Sequence, residues 1–387
     1  MKTRVILALL LLLISTLACG ETNVPNVPAE PTPVCSATSP TVKLDASARP
    51  FHMGFTRWPS EATIEGIQHM NEFLETHGDL TAMHYDGGIP WPEALAEGEY
   101  PKAVMSDWQW AKDSVPANHK LYVAITPLDN SRTALAEYWG TDTGQPLPKP
   151  WSEYSLNHPD VKTAYLNFAR RAIEFFQPDY FAIGVEVNVA QTNAAETWTA
   201  YKELHQYVYE NLKRDYPDLP IFATFTNTHM NGLDGGNREE QKREITELLK
   251  YSDLLGLSAY PYGWPYGNKV AITEDFFDTA ISFGKPIVIS ESGMSSEGFE
   301  AFGAKYDFTP SDQTRWIQFV LEKAAENHFE FVVNFASTDY NKLMEVIPSG
   351  EARELATFWL YTGLERSDRC AKESLGVWDA YLNLPFE

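Results

Sequence analysis

The sequence is poor in positive charge, nearly free of cysteine, and has no long apolar run beyond its first residues. Lys and Arg number 30 against 53 Asp and Glu, a formal net charge of −23. Such a chain repels phosphate backbones, which argues against nucleic acid as a partner and disfavours a strongly anionic ligand. Past residue 45 no stretch is apolar for long enough to cross a bilayer. No Gly-rich phosphate loop follows the first β-rich run, where an open nucleotide-binding sheet carries one. No internal repeat is visible. What is plentiful is aromatic: 13% of residues, with 11 Trp and 19 Tyr. A core uses some of these, and the excess suits a cleft in which rings stack on flat ligand faces.

The N-terminus reads as an export signal. Met1-Lys2-Thr3-Arg4 is basic, and Val5 to Ile14 is an unbroken apolar run too short for a comfortable membrane span. Ser15-Thr16-Leu17-Ala18-Cys19 resembles a bacterial lipobox, which implies lipidation of Cys19; the alternative is a plain signal cut near Ala18. Gly20 after the Cys favours the outer membrane by the same resemblance. Residues 20 to 45 are rich in Pro, Thr, Ser, Asn and Val without helical or strand period, as in a tether. The expected division is a signal over 1–18, a lipid-bearing tether over 19–45 and one domain over 46–387. Membrane contact is expected only through the anchor. Cys35 and Cys370 then remain as an even pair in an oxidising compartment, expected to form a disulfide rather than two free thiols.

Short β-rich runs alternate with stretches of helical period. The strands expected are 51–55, 80–85, 121–125, 180–185, 220–225, 254–258, 286–290 and 329–335. Helices are expected over 62–76, 160–176, 197–215, 238–251 and 312–327. In the first, Ile64, Ile67, Met70, Phe73 and Leu74 recur at three- and four-residue spacing. No long structureless insertion is apparent in the series. Near-continuous apolar strands imply a parallel sheet buried on both faces, so the fold class is α/β, a (β/α)8 TIM barrel.

In such a barrel the site lies at the C-terminal ends of the strands. Those ends carry Arg57 and Trp58, His84 and Asp86, Asp129 and Asn130, Glu186 and Asn188, Asn227 and His229, Tyr260 and Tyr262, Glu291, then Asn334 and Asp339. A carboxylate directly after an apolar strand is costly to desolvate unless it has a task or a partner. Glu186 and Glu291 both stand in that position, on strands four and seven, facing each other across the mouth. Cleavage of a glycosidic bond needs such a pair, one to protonate the leaving oxygen and one to attack the anomeric carbon. Trp58, Trp91, Trp264 and Tyr262 are candidate stacking rings; each could equally pack a loop. Arg57, His84, Asp86, Asn188, Asn227, His229 and Asn334 are candidate partners for substrate hydroxyls. His84 with Asp86, or His229, lacks a third ligand at useful spacing, so neither a metal nor another cofactor is expected.

Phe181-Ala182-Ile183-Gly184-Val185-Glu186-Val187-Asn188 resembles the strand-four motif of clan A glycoside hydrolases, and Ile287-Val288-Ile289-Ser290-Glu291-Ser292-Gly293 resembles their strand-seven motif. Asp253 to Tyr262 is similar to strand six of the family 53 arabinogalactan endo-β-1,4-galactanases. The resemblance implies a retaining hydrolase with Glu186 as acid/base, Glu291 as nucleophile and Tyr260 holding the nucleophile, acting on carbohydrate, with galactan the first guess. Two departures stand out. Val185 occupies the place of an Asn that holds the sugar 2-hydroxyl, with Asn188 as a substitute. His84-Tyr85-Asp86 ends strand two where an Arg steadies the nucleophile, with Arg57 as a substitute. The mechanism expected has Glu291 ionised and Glu186 held protonated by its apolar setting and by Glu291's charge. The competing readings are a glycan-binding lipoprotein on an inactive barrel, a transglycosylase, and a metal-dependent hydrolase of a non-sugar bond.

Overall fold

The structure, a computed structural model, describes residues 46–262 and 272–387 together with Cys35 and Leu44. Cys19, most of the tether and Trp264 lie outside the described residues. Eight strands form a closed barrel: β1 (His52–Thr56), β2 (Leu80–Tyr85), β3 (Lys120–Ile125), β4 (Tyr180–Ala182), β5 (Ile221–Thr226), β6 (Leu255–Ala259), β7 (Ile287–Ser292) and β8 (Phe331–Asn334). Each pairs in parallel with its neighbours, and β8 returns to β1 through registers such as Met53 with Val332. The fold is the (β/α)8 barrel that the alternating pattern predicts.

Alternation along each strand sorts the side chains into two cores. Leu80, Ala82, Tyr122, Phe222, Val288 and Phe331 fill the barrel interior. Tyr122 sits 5.0 Å from Phe331 and 5.7 Å from Phe222, ring centre to ring centre, so the lumen is plugged by aromatic packing. Intervening residues such as Met53, Val123, Phe181 and Ile289 face outward and join the larger core under the helices.

The outer layer is α1 (Ile64–His77), α2 (Lys102–Asp113), α3 (Pro159–Phe176), α4 (Ala195–Asp215), α5 (Arg238–Leu248), α6 (Asp278–Ile281), α7 (Pro310–Glu326) and α8 (Glu373–Leu382). The starts follow local chemistry. Thr63 caps α1 by accepting from the Gly66 amide, and Thr309 with Asp312 forms a capping box ahead of Pro310 in α7. The ring closes at the base, where the Arg49 amide donates to Pro385 O over 2.9 Å and its guanidinium pairs with Asp79 at 2.6 Å. Among the described residues no helix is long and apolar enough to cross a membrane.

Three features depart from expectation. The fourth strand stops at Ala182 rather than Val185, because the chain presses against α4: a Cβ on Gly184 would lie 2.0 Å from the Tyr201 hydroxyl. An irregular segment does interrupt the series, at 126–158, with only the 3-10 turn Trp151–Glu153 inside it. It is ordered by side-chain caps and isolated backbone bridges: Asp129 Oδ1 accepts from the Thr133 and Ala134 amides at 2.9 and 3.1 Å, and Tyr138 and Gln145 exchange backbone bonds at 2.9 and 3.0 Å. The loop after β8 spans 335–372 and carries two short helices, Asn341–Val346 and Glu351–Ala356. That loop is fastened at the rim: a disulfide joins Cys35 to Cys370, and Glu61 pairs with Arg369 and with Lys342.

Candidate active site

Glu291 reaches the mouth by an irregularity in its strand. Leu257 pairs with Ile289, but Ser258 pairs with Glu291, so Ser290 is an extra residue in β7. Regular alternation from the inward Val288 would send Glu291 outward; the bulge turns it in. The Ser290 hydroxyl satisfies the interrupted ladder by donating to Leu257 O over 3.0 Å. Inside the mouth the Tyr260 hydroxyl donates to Glu291 Oε1 over 2.6 Å, and His84 Nδ1 lies 3.7 Å from Oε2. Trp359 Nε1 donates to the Tyr260 oxygen over 3.1 Å. Burial, then the negative charge of Glu186, pushes the Glu291 carboxyl up to about 8, against the opposing Tyr260 hydrogen bond. Burial also lowers His84, whose ring stands edge-on to Tyr122 at 5.6 Å and whose Nε2 has no partner among the described residues.

Glu186 faces it from the other wall. Its φ is +53°, a left-handed backbone that a residue with a side chain adopts rarely and that concentrates at functional sites. Its amide donates to Thr224 Oγ1 over 2.9 Å, and the chain turns at once into the short helix Asn188–Asn193. Glu186 Oε2 lies 3.4 Å from Arg132 Nη2, which is also 3.4 Å from Asp86 Oδ2. Arg132 is itself at φ +58°, within the 126–158 segment. Burial works against its charge, but Glu186 and Asp86 outweigh that and raise it above its ordinary value. Three carboxyls, one guanidinium and a buried imidazole thus converge at the strand ends, with Glu186 and Glu291 close enough to perturb each other.

Of the residues read from the sequence, the structure brings Glu186, Glu291, Tyr260, His84 and Asp86 together. Trp58 is half-buried at the rim, packed against the small apolar cluster that includes Ala336, Tyr340 and Leu343. The others are turned away, each for a visible reason. Arg57 does not reach Glu291: its guanidinium lies 3.7 Å over the Trp110 ring and donates to Ser114 Oγ, outside the barrel. Trp91 is fully buried, stacked 5.5 Å from Trp151 with its N–H on Ala136 O. Asn188 does not replace the missing Asn; it is spent on Thr226 O, Gln241 and the Thr226 amide. Asn227 donates to Phe276 O, and Asn334 donates to Ala336 O and Thr362 O. His229 is held between Asp234 and Thr192. Tyr262 is buried and donates to Phe358 O. Asp339 is paired at 2.6 Å with the buried Lys372. Among the described residues no group of three or more His, Cys, Asp and Glu is placed to hold a metal ion.

Sequence reasoning missed Arg132 and Trp359. Arg132 follows Asp129-Asn130-Ser131, a polar turn after strand three that signals a rim loop but not where its next residue points. Trp359 comes from deep inside the loop after β8 and has no sequence signal. Burial also pushes the Glu291 carboxyl upward, where the expected mechanism has it ionised.

No protein-family model and no curated protein matches the sequence. Solved structures share the fold. A fungal β-1,4-galactanase aligns with TM-score 0.53 at 13% identity, over 85% of this chain and 94% of its own. The exo-β-1,4-mannosidase Op5Man5 from Opitutaceae bacterium strain TAV5 aligns with TM-score 0.59 at 13% identity, over 89% and 63%. A GH5_18 protein from Bifidobacterium longum subsp. longum, solved in complex with Manb1-4GlcNAc, aligns with TM-score 0.60 at 12% identity, over 87% and 80%.

Proposed function

We propose that the chain is a retaining glycoside hydrolase acting on a β-linked glycan, with Glu291 as nucleophile and Glu186 as acid/base. The observation that carries the reading is the placement of two glutamates at the ends of strands four and seven of one barrel mouth, Glu291 bound by Tyr260 at 2.6 Å and Glu186 faced by Arg132 at 3.4 Å. Retention requires the carboxyls to flank a single glycosidic bond, roughly 5–5.5 Å apart. Glu291 Oε1 is occupied by Tyr260, so Oε2 is the oxygen that attacks the anomeric carbon. Glu186 gives a proton to the leaving oxygen, and the bond from that oxygen to the anomeric carbon breaks. The glycosyl ester on Glu291 is then cleaved by water, whose proton returns to Glu186.

The mouth holds Asp86, Glu186 and Glu291 against Arg132, a balance that favours neutral sugars over uronic acids. A β-1,4-galactan is the first substrate to try, given the strand-six resemblance and the galactanase of like fold; β-1,4-mannan is the second. Trp58 and Asp86 are the sequence-derived contacts that remain at the rim. Delivery to the envelope by the signal and by a lipid on Cys19 belongs to the same proposal, and Cys19→Ser should abolish labelling by radioactive palmitate.

One observation favours a second reading, glycan binding without cleavage. Val185 is packed in the apolar barrel interior where the resemblance places an Asn, and Asn188 is committed elsewhere. Incubating the purified chain with a panel of β-linked glycans, with Glu291→Ala as control, decides between them. Release of reducing ends by the wild type alone supports the hydrolase; affinity without turnover overturns it.

A further inference from the structure

The loop after β8 brings one polar hydrogen to the back of the Glu291 assembly. Trp359 closes the 3-10 turn Thr357–Trp359, and its indole N–H donates to the Tyr260 hydroxyl, which donates onward to Glu291 Oε1. A phenol oxygen that accepts a bond on one side has its own proton directed to the other. Donation into that oxygen also polarises the O–H and strengthens its onward bond. Trp359 lowers Tyr260 in this way, although burial and the Glu291 charge raise it overall.

The turn is held in place for this contact. Tyr262 Oη donates to Phe358 O over 2.9 Å, and the amide and hydroxyl of Thr362 both return to Trp359 O, at 3.2 and 2.8 Å. The indole stands at 87° to the Tyr260 ring, with centres 6.3 Å apart, and 5.7 Å from Phe335. A ring used only as apolar filler would not need its N–H aimed at a hydroxyl that itself donates to Glu291.

Resting on the reading of Glu291 as nucleophile, we propose that Trp359 is a positioning residue: it fixes the direction of the Tyr260 hydroxyl and thereby the orientation of the attacking carboxylate. The chain Trp359–Tyr260–Glu291 makes the loop after β8 part of the nucleophile's support, although no residue of that loop touches Glu291 in this chain of bonds.

The test uses the whole domain and needs no substrate. Glutamate side-chain carboxyls are labelled with 13C, and the Glu291 resonance is identified by its loss in Glu291→Gln. Trp359→Phe keeps the ring surface and removes the donor. Its Glu291 titration midpoint should move upward by roughly half a unit or more, because a weaker Tyr260 bond stabilises the ionised form less. Trp359→His, whose ring can donate, should restore the midpoint. An unmoved midpoint in a cooperatively folded Trp359→Phe overturns the proposal. Should that variant fail to fold, the wild type still decides. The Trp359 indole N–H signal should follow the Glu291 titration in the wild type and lose that response in Tyr260→Phe; a silent N–H in the wild type is a refutation.

Kinetics then separate this inference from the one beneath it. On a hydrolysed glycan, Trp359→Phe should lower kcat with KM unchanged, and the double variant with Tyr260→Phe should be no worse than Tyr260→Phe alone. A rise in KM alone would mark the ring as a binding surface and sink the positioning role. A moved midpoint without turnover on any glycan would leave the positioning chain standing and end the hydrolase reading.

Discussion

The two walls of the barrel mouth hold their glutamates by different means. On the β6–β8 side Glu291 is buried, turned inward by a bulge, and bound by Tyr260 with Trp359 behind it. On the β3–β5 side Glu186 is more open, with its side chain 26% exposed, set in a left-handed backbone and faced by the buried guanidinium of Arg132. One wall fixes a carboxylate by packing and hydrogen bonds, the other by charge. A nucleophile must point in one direction, whereas an acid/base must exchange protons with substrate and water, so the asymmetry matches the roles proposed.

Substitutions can break that asymmetry, and the greatest effect is expected from Glu291→Gln. Hydrolysis of any glycan found on the panel should fall below detection while the protein still melts cooperatively. The same variant tests the burial of the charge. A carboxyl raised from 4.5 to about 8 on folding binds more protons in the folded state than in the unfolded state between those values. Its contribution to stability is therefore complete below about 4.5 and is lost as pH rises to about 8, at up to about 1.4 kcal/mol per pH unit. The wild type should lose melting temperature relative to Glu291→Gln over that window; parallel curves would remove the case for a buried, raised carboxyl.

Next comes Glu186→Ala, with an expected loss of about 10²–10⁴-fold on natural glycans. A substrate with an activated aryl leaving group should be spared much of it, since that group needs no proton; equal losses on both would deny Glu186 the acid role. Arg132→Ala should be milder in turnover but cost about 1–3 kcal/mol of stability by leaving Asp86 and Glu186 without their shared cation. It should also push the Glu291 midpoint further up, because Arg132 now lowers it. The smallest change is expected from Arg57→Lys. Loss of the stack on Trp110 should cost about 0.5–1 kcal/mol in a thermal melt and leave turnover nearly intact. A collapse in turnover would restore Arg57 to the site.

The legible parts of the molecule were those written in a period. All eight strands and five of the outer helices follow from runs of apolar residues, whereas the helices Lys102–Asp113 and Glu373–Leu382 were not read from the sequence; Glu186, Glu291 and Tyr260 were found because they sit where such runs end. Residues set by irregular backbone were not legible. Arg132 depends on a turn capped by Asp129, and Trp359 on a 3-10 turn pinned by Tyr262 and Thr362. The bulge at Ser290 is equally silent, since a strand with one extra residue reads like a strand without it. Several rim candidates failed for the opposite reason. Asn188, Asn227 and Asn334 lie at the right height on the barrel, but the amide nitrogen of each donates to a loop carbonyl that would otherwise be buried unpaired.

The Cys35–Cys370 link fastens the far end of the loop that carries Trp359, while the barrel closes on its own hydrogen-bond ladder without it. The two closures therefore have different chemical requirements. The scaffold can be finished wherever the chain folds, but the collar around the mouth is locked only where thiols oxidise. A reduced sample should keep its secondary structure and show the loosening first at residues 335–372, by hydrogen exchange. Exchange that speeds up uniformly around the ring would mean the link braces the whole barrel.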